Sequence, residues 1–170
     1  MSLSPTPSRL TLLWPAGLLA GLVACSDFST TPRVSYDITE TQEYRVQGTR
    51  IAGPQDYDLT THPDYQKVQD KVKRVTLNSL RYEVLENNGQ AGTVALWMGE
   101  YGSDSLRKVA EASVPAAPDT QGPRDVAFTD QAYAEDLVNT HRRFRAQLKG
   151  AFSGVDCRVR ITYSIHVETQ

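Results

Sequence analysis

The chain is poor in the residues that usually carry catalysis, metal binding or covalent cross-links. Its 170 residues include two cysteines, three histidines and two tryptophans. Two cysteines can close at most one disulfide, so a fold held together by several disulfides is excluded. The apolar run Leu10–Val23 is shorter than the roughly 20 residues that cross a bilayer core, so a transmembrane helix is not expected there.

Short motifs that mark common catalytic sites are also missing. The sequence contains no G-x-S-x-G or S-x-x-K element, no phosphate-binding loop and no G-x-G-x-x-G. Its histidines, His62, His141 and His166, show no ligand spacing, so we expect neither a metal nor another cofactor. Acidic residues surround His62 in the sequence, but that pattern is typical of a solvated loop that leads into a helix cap.

Neither sign of charge dominates the composition. The chain has 18 Lys and Arg against 20 Asp and Glu, a formal net charge of −2 at pH 7. Such a balance favours solubility and argues against non-specific nucleic-acid binding by the chain as a whole. We therefore expect no nucleic acid among its partners.

What the chain does have is a distinctive N-terminal segment. Arg9 gives it a positive start, and the apolar stretch Leu10–Val23 follows, interrupted by Pro15. A small residue, Ala24, then precedes Cys25. This order of features is typical of a secretory signal, whereas a buried helix would lose a hydrogen bond at the central proline.

The residues Leu22-Val23-Ala24-Cys25 resemble the lipobox of bacterial lipoproteins. The resemblance implies cleavage before Cys25, a diacylglycerol on its thiol, and attachment to a membrane of the cell envelope. It divides the chain into a signal segment (1–24), a lipidated N-terminus and tether (25–32) and one domain (33–170). In Gram-negative lipoproteins an aspartate directly after the cysteine tends to retain the protein in the inner membrane. Here Ser26 follows Cys25, and Asp27 comes one place later. The resemblance therefore favours the outer membrane, on its periplasmic or surface side, over the inner membrane.

With Cys25 acylated, Cys157 has no intramolecular partner. We expect it to be buried, because an unpaired cysteine behaves as a small apolar residue.

Alternation of apolar and polar residues predicts a mostly β domain. The expected strands are Arg33–Thr39, Glu43–Ile51, Arg74–Glu86, Val94–Glu100, Leu106–Val114, Phe144–Phe152 and Val155–Val167. Two helices are expected over Thr61–Lys73 and Asp130–Thr140. A change of parity within the third strand predicts a β-bulge near Asn78-Ser79.

Two hairpins follow from this pattern. A turn around Asn88-Gly89 would place Val84 opposite Val94. A turn at Ser153-Gly154 would make the last two strands neighbours, with Leu148 opposite Val159 and Phe144 opposite Tyr163. Every facing pair would then be apolar or small.

We therefore expect an immunoglobulin-like antiparallel β-sandwich of about seven strands with two short helices. A partly open β-barrel is the alternative. The layout over about Val34–Val167 is similar to the small sandwich domains of many bacterial surface lipoproteins, including those of the late-embryogenesis type.

Two surface features are candidate contact sites. The outward face of the last hairpin carries a basic set: Arg143, Arg145, Lys149, Arg158 and Arg160. Like charges on facing strands repel, so this face invites an anionic headgroup or another envelope protein, unless neighbouring acids neutralise it. Trp97 would lie across from Arg81, either as an exposed aromatic contact or covered as part of the core.

Three functions remain open at this point. The first is a non-catalytic binding or assembly role for a lipid-anchored envelope protein. The second is a carrier or sensor of a small apolar ligand, which needs a cavity of several hundred Å³ between the sheets. The third is a hydrolase without a recognisable motif, which needs His62 or His141 to meet acids in a cleft.

Overall fold

A computed structural model describes residues 34–50, 53–118, 122–150 and 156–170 of the chain. The expected signal segment (1–24), Cys25 with its tether (25–32) and the turn Ser153-Gly154 lie outside these residues. No helix of the described part is long and apolar enough to cross a membrane.

Eight strands make up most of the described part. They are β1 (Ser35–Gln47), β2 (Gln55–Asp58), β3 (Val72–Asn87), β4 (Gly92–Gly99), β5 (Arg107–Val114), β6 (Arg124–Val126), β7 (Arg143–Gly150) and β8 (Asp156–Thr169). Two short helices, α1 (Pro63–Gln66) and α2 (Gln131–Asp136), lie in the connections. Short turns of 3-10 or π-helix accompany them at Leu59–Thr61, Gln69–Lys71 and Leu137–His141.

The strands form two antiparallel sheets of four. The first sheet has the order β1-β8-β3-β6, and the second has the order β2-β7-β4-β5. The pairs β1–β8, β2–β7, β3–β6 and β4–β5 are neighbours. They would also be neighbours in one long antiparallel hairpin, and rolling up that hairpin produces the two sheets. Two four-stranded sheets connected in this way are a jelly roll, an eight-stranded double Greek key.

The expected antiparallel β-sandwich with two short helices is confirmed. It has eight described strands rather than about seven, because β2 and β6 are too short to produce an alternating pattern. The strand order is also not that of an immunoglobulin domain, which places its first, second, fifth and fourth strands in one sheet. The two sheets do not close into a barrel within the described residues.

The first strand is longer than expected. In place of two strands, β1 continues unbroken from Ser35 to Gln47. Gln42 points into the core on the same parity as Ile38 and Tyr44, and its Oε1 accepts a hydrogen bond from the Tyr44 hydroxyl at 2.6 Å. A polar residue in the apolar series therefore does not end the strand, because its polar atom is satisfied inside.

The third strand follows the prediction more closely. β3 has a register irregularity between Leu77 and Ser79 in its pairing with β8, so the expected β-bulge is confirmed. The bulge lets Leu77 and Leu80 both reach the core despite their odd spacing.

The helix expected over Thr61–Lys73 is reduced to short turns. His62, rather than Thr61, caps α1, and its Nδ1 accepts a hydrogen bond from the Asp64 N–H at 3.2 Å. The second helix begins where expected, after the cap Asp130, whose carboxylate accepts from the Tyr133 N–H at 3.3 Å. It ends as a turn of π-helix at His141.

Both expected hairpins are wrong. β3 and β4 lie in different sheets, and so do β7 and β8. Val84 pairs with Val159, and Val94 pairs with Gly150 and Ala112. Two consecutive strands direct their apolar sides to the same interior whether they form a hairpin in one sheet or lie in opposite sheets. Alternation therefore does not distinguish neighbours within a sheet from partners across the core.

The packing between Phe144 and Tyr163 illustrates this point. The two rings were expected on adjacent strands, yet they meet across the sandwich with centroids 5.4 Å apart. Both side chains are fully buried. Burial also raises the pKa of Tyr163 well above its usual value.

Cys157 is buried, as expected, with 1% of its surface exposed. Burial raises the pKa of its thiol to about 11, so the thiol stays protonated and poorly reactive at neutral pH.

The two ends of the sandwich differ. The connections Leu59–Lys71, 100–106 and 127–142 gather at one, which we term the helical end. There the Tyr36 hydroxyl donates to the Asp64 carbonyl at 3.2 Å. The turn 88–91 lies at the opposite end, which we term the turn end, and the Asn88 N–H there donates to the Asp156 carbonyl at 3.0 Å.

Candidate functional site

The predicted basic residues do not form one face. Arg158 and Arg160 lie on β8 in the first sheet, near the turn end, whereas the other three lie on β7 in the second sheet. Lys149 does not face Arg158, because these strands are not neighbours. Whether these residues bind a partner stays a prediction.

On the outer face of the first sheet, acids alternate with the arginines. Arg160 contacts Glu43 at 2.7 Å and Glu83 at 3.1 Å. Arg158 contacts Glu86 at 2.8 Å and Glu43 at 3.5 Å. The series extends through Arg45, which contacts Glu86 at 3.4 Å and Asp156 at 2.9 Å. We call this set the charge ladder; its members are Asp156, Arg45, Glu86, Arg158, Glu43, Arg160 and Glu83.

In the charge ladder, neighbouring acids neutralise Arg158 and Arg160, which is the alternative that the sequence allowed for the basic face. Each of its arginines contacts two carboxylates. Arg45 and Arg158 lie directly opposite each other on β1 and β8, and Glu86, which contacts both, offsets their repulsion. Its side chains are between 19% and 55% exposed, and pairs of this exposure contribute little stability each.

On the second sheet, Arg143 and Arg145 are also paired. Arg143 Nε lies 2.9 Å from Asp58 Oδ2. Arg145 binds Asp56 through two parallel hydrogen bonds, Nε to Oδ1 at 2.8 Å and Nη2 to Oδ2 at 3.0 Å. Its Nη1 reaches Asp104 Oδ1 at 3.0 Å. The hydrogen bond from Arg145 lowers the pKa of Asp56, against the opposing effect of burial.

Lys149 differs from the four arginines. Its side chain is exposed, and no carboxylate of the described residues lies within ion-pairing distance of its ammonium group. Together with Trp97, Leu106, Gln147 and Asp104 it lines a groove of about 190 Å³ on the outer face of the second sheet. We call this the Trp97 groove.

Sheet pairing builds the Trp97 groove. Trp97 pairs with Gln147 of β7, and Ala95 pairs with Lys149, so the register brings Trp97, Gln147 and Lys149 to the same face. Trp97 is partly buried, and its Nε1 is buried without a hydrogen-bond partner among the described residues. An unpaired buried donor costs free energy that an acceptor would recover.

Gly99 lets the wall of the groove approach. A Cβ atom at this position would lie 2.5 Å from the Ser105 carbonyl oxygen and 2.6 Å from Leu106 Cδ2. The loop 100–106 can therefore fold back and place Leu106 beside Trp97 only because residue 99 has no side chain.

Arg81 and Trp97 do not meet, contrary to the expectation. Arg81 lies in the first sheet, where it pairs with Asp125 and its Nε lies 3.2 Å from that carboxylate. Trp97 lies in the second sheet, and no helix is among the residues that line its groove. Sequence reasoning singled out Trp97 and Lys149 but missed Leu106, Asp104 and Gln147, because only the pairing of β4 with β7 unites them.

A second depression lies at the helical end. It has a volume of about 410 Å³ and is lined by Thr60, Glu100, Tyr101, His141 and Arg143. We call it the Tyr101 cleft. The Arg143 guanidinium lies 5.9 Å from the centroid of the Tyr101 ring, whose side chain is half exposed.

Among the described residues, neither histidine proposed for a hydrolase makes a hydrogen bond or ion pair to a carboxylate. His62 caps α1. His141 lies in the Tyr101 cleft near Glu100, but among the described residues it makes no hydrogen bond to a carboxylate. His166 does contact an acid, Asp37, at 2.8 Å, on an exposed strand surface. No cluster of three metal-ligating side chains occurs in the part of the chain that the structure describes.

The interior is closely filled. Between the sheets, the space lined by Leu80, Val94, Leu148 and Ile161 amounts to about 10 Å³. A ligand carried between the sheets needs several hundred Å³. The described core therefore has no room for such a ligand in this conformation.

No protein-family model matches the chain, and no curated protein sequence matches it either. Several solved viral structures match with low scores. They include Desmodium yellow mottle tymovirus (12% identity, covering 99% of this chain and 96% of that chain, TM-score 0.38), mud crab tombus-like virus (8%, 96% and 94%, 0.36) and Cocksfoot mottle virus (9%, 98% and 97%, 0.38). The jelly-roll assignment rests on the strand order of this chain.

Proposed function

We propose that the chain is a lipid-anchored, non-catalytic binding protein of the bacterial envelope. Its ligand would bind in the Trp97 groove, on the outer face of the second sheet. The lipid anchor is supported by the sequence Leu22–Cys25, which resembles a lipobox, and the binding role by the composition of the groove.

One observation carries the binding role. Trp97 and Leu106 provide apolar surface next to Gln147 and to the ammonium of Lys149, which has no ion-pair partner among the described residues. An indole accepts a flat apolar surface, the amide fixes orientation through hydrogen bonds, and the ammonium takes an anion. A ligand that combines all three features is an anionic saccharide.

A groove of about 190 Å³ is smaller than the 300–1,000 Å³ typical of drug-sized ligands, so it suits one sugar ring of a longer chain. In a bacterial envelope, peptidoglycan fragments present sugar rings together with carboxylates. They are therefore the first probe to test.

The natural protein offers a direct measurement. The chain has two tryptophans, Trp14 and Trp97, and the proposed processing removes the first. In the acylated protein, held in detergent micelles, tryptophan fluorescence would thus report on the groove alone. We expect soluble muropeptides to change this fluorescence saturably, and neutral chitotetraose to bind about tenfold more weakly, a difference of about 1.4 kcal/mol.

Two substitutions test the groove in opposite directions. Lys149→Gln should weaken muropeptide binding about tenfold, and Asp104→Asn should strengthen it, because it removes a negative charge from the groove wall. Lys71→Gln removes the same charge at an exposed position outside the groove and should leave binding unchanged. Unchanged fluorescence with both saccharides at millimolar concentration would exclude this ligand class.

The anchor is tested separately. Cys25→Ala should abolish incorporation of labelled fatty acid and leave the precursor unprocessed. Acyl labelling that persisted in this variant would show that Cys25 is not the lipidated residue.

A further inference from the structure

The end of the domain at which the chain enters and leaves suggests how it sits on its membrane. Val34, the first described residue, lies beside the C-terminus, since its carbonyl accepts from the Thr169 N–H at 3.0 Å and from the Thr169 hydroxyl at 2.8 Å. The Gln170 N–H donates to the Lys71 carbonyl at 2.9 Å. Both termini of the described part are therefore at the helical end.

We propose that the helical end faces the membrane and that Tyr101 rests in the phospholipid headgroup layer. This inference rests on the lipid anchor of the proposed function, but not on the ligand of the Trp97 groove.

Chain length excludes the inverted orientation. From Cys25 to Val34 the chain spans at most about 32 Å, whatever its conformation, because each of the nine residue steps advances it by no more than about 3.6 Å. The strand β1 has 13 residues, which corresponds to roughly 40 Å at about 3.3 Å per residue. If the turn end touched the membrane, Val34 would lie beyond the reach of the anchor.

The exposed side chains of the helical end favour direct contact with the membrane over a position some distance above it. Two large apolar side chains of the described part are more than half exposed, Val34 at 53% and Tyr101 at 51%, and both lie at this end. Tyrosine is favoured at membrane interfaces because its ring is apolar and its hydroxyl polar.

The Tyr101 cleft also fits the chemistry of headgroups. Arg143 contacts Asp58 through Nε, and its other guanidinium N–H groups can donate to a phosphate, as can His141. Glu100 offers an acceptor to an ammonium. A zwitterionic phospholipid such as phosphatidylethanolamine carries both groups. The exposed Tyr101 ring beside them would lie at the boundary between headgroups and acyl chains.

The test uses the full acylated protein in vesicles of phosphatidylethanolamine and phosphatidylglycerol that carry a nitroxide quencher on the headgroup. A fluorescent label is attached at Tyr101→Cys, at the helical end, or at Gln90→Cys, at the turn end. Cys157 is buried, so the unsubstituted protein is the control for labelling specificity. Ala132→Cys, exposed on α2, supplies a second helical-end position if Tyr101→Cys misfolds.

We expect about fivefold stronger quenching at the helical end, because the eight residues of β4 separate the two labels by roughly 26 Å. Equal quenching, or stronger quenching at Gln90, in protein that floats with the vesicles would overturn the orientation and leave the anchor intact. Failure of the protein to float, with no acyl mass on Cys25, would instead overturn the anchor and the orientation with it.

Discussion

The outer faces of the two sheets use similar residues in different ways. On the first sheet every arginine of the charge ladder contacts two carboxylates, as Arg160 does with Glu43 and Glu83. On the second sheet the acids contact Arg143 and Arg145, and Lys149 lies next to Trp97 without an ion-pair partner among the described residues. A face whose charges satisfy one another has little to gain from a ligand, whereas an unpaired cation beside apolar surface does.

The difference arises from the partner strands. β8 lies between β1 and β3, and both neighbours supply acids along its outer face. β7 has the short β2 on one side, whose acids Asp56 and Asp58 reach only its first residues. Beyond them, within the part of the chain that the structure describes, β7 pairs only with β4, which offers Ala95 and Trp97. The open groove therefore begins where β2 ends.

Reversing one charge in the ladder should have the largest effect on stability. Glu43→Lys would place an ammonium beside Arg158 and Arg160, and we expect it to lower the free energy of unfolding by about 1–2 kcal/mol. The measurement is urea denaturation at low ionic strength.

The matched reversal on the second sheet is Asp104→Lys. The side chain of Asp104 is 97% exposed, so its loss should change the free energy of unfolding by less than about 0.5 kcal/mol. Equal losses from the two reversals would contradict the distinction between the faces.

Acid should affect both faces, but to different degrees. A hydrogen bond from Arg145 lowers the pKa of Asp56, and one from Arg45 lowers the pKa of Asp156, from the usual value of 3.8. The unfolded chain then binds more protons than the folded one in acid. Both groups therefore stabilise the fold above pH 3.8, and this stabilisation is lost as the pH falls through their lower folded pKa values.

The two ion pairs differ in the exposure of their side chains. The Arg145–Asp56 side chains are 16% and 30% exposed, against 55% and 36% for Arg45–Asp156. Asp56→Asn should therefore reduce the acid dependence of stability more than Asp156→Asn, each by less than one proton. Salt at about 1 M should weaken the second effect more. The opposite ranking in urea titrations between about pH 2 and 5 would contradict the assignment.

The sequence was sufficient for the faces of the long strands and for a two-layer sandwich, because burial on one side imposes a period of two. It also located the bulge in β3, where Leu77 and Leu80 change parity. These features depend on residues close together in the chain.

The sequence alone did not predict the strand order or the Trp97 groove. Phe144 and Tyr163 are apolar on matching positions whether they are neighbours in a sheet or partners across the core. That ambiguity placed Lys149 beside Arg158, when its real neighbours are Ala95 and Trp97. Long-range pairing, which local patterns do not encode, decides which polar residues share a face.

The smallest expected effect is the most informative about the second sheet. Lys149→Gln removes no ion pair of the described residues, so the free energy of unfolding should change by less than about 0.5 kcal/mol. Arg158→Gln removes the same charge from the ladder and leaves Glu43 and Glu86, on either side of β8, with one cation fewer, so it should cost more stability. If Lys149→Gln were instead the more destabilising of the two in urea denaturation, Lys149 would be part of the structural framework. Lys149 would then not be available to bind an anion in the Trp97 groove.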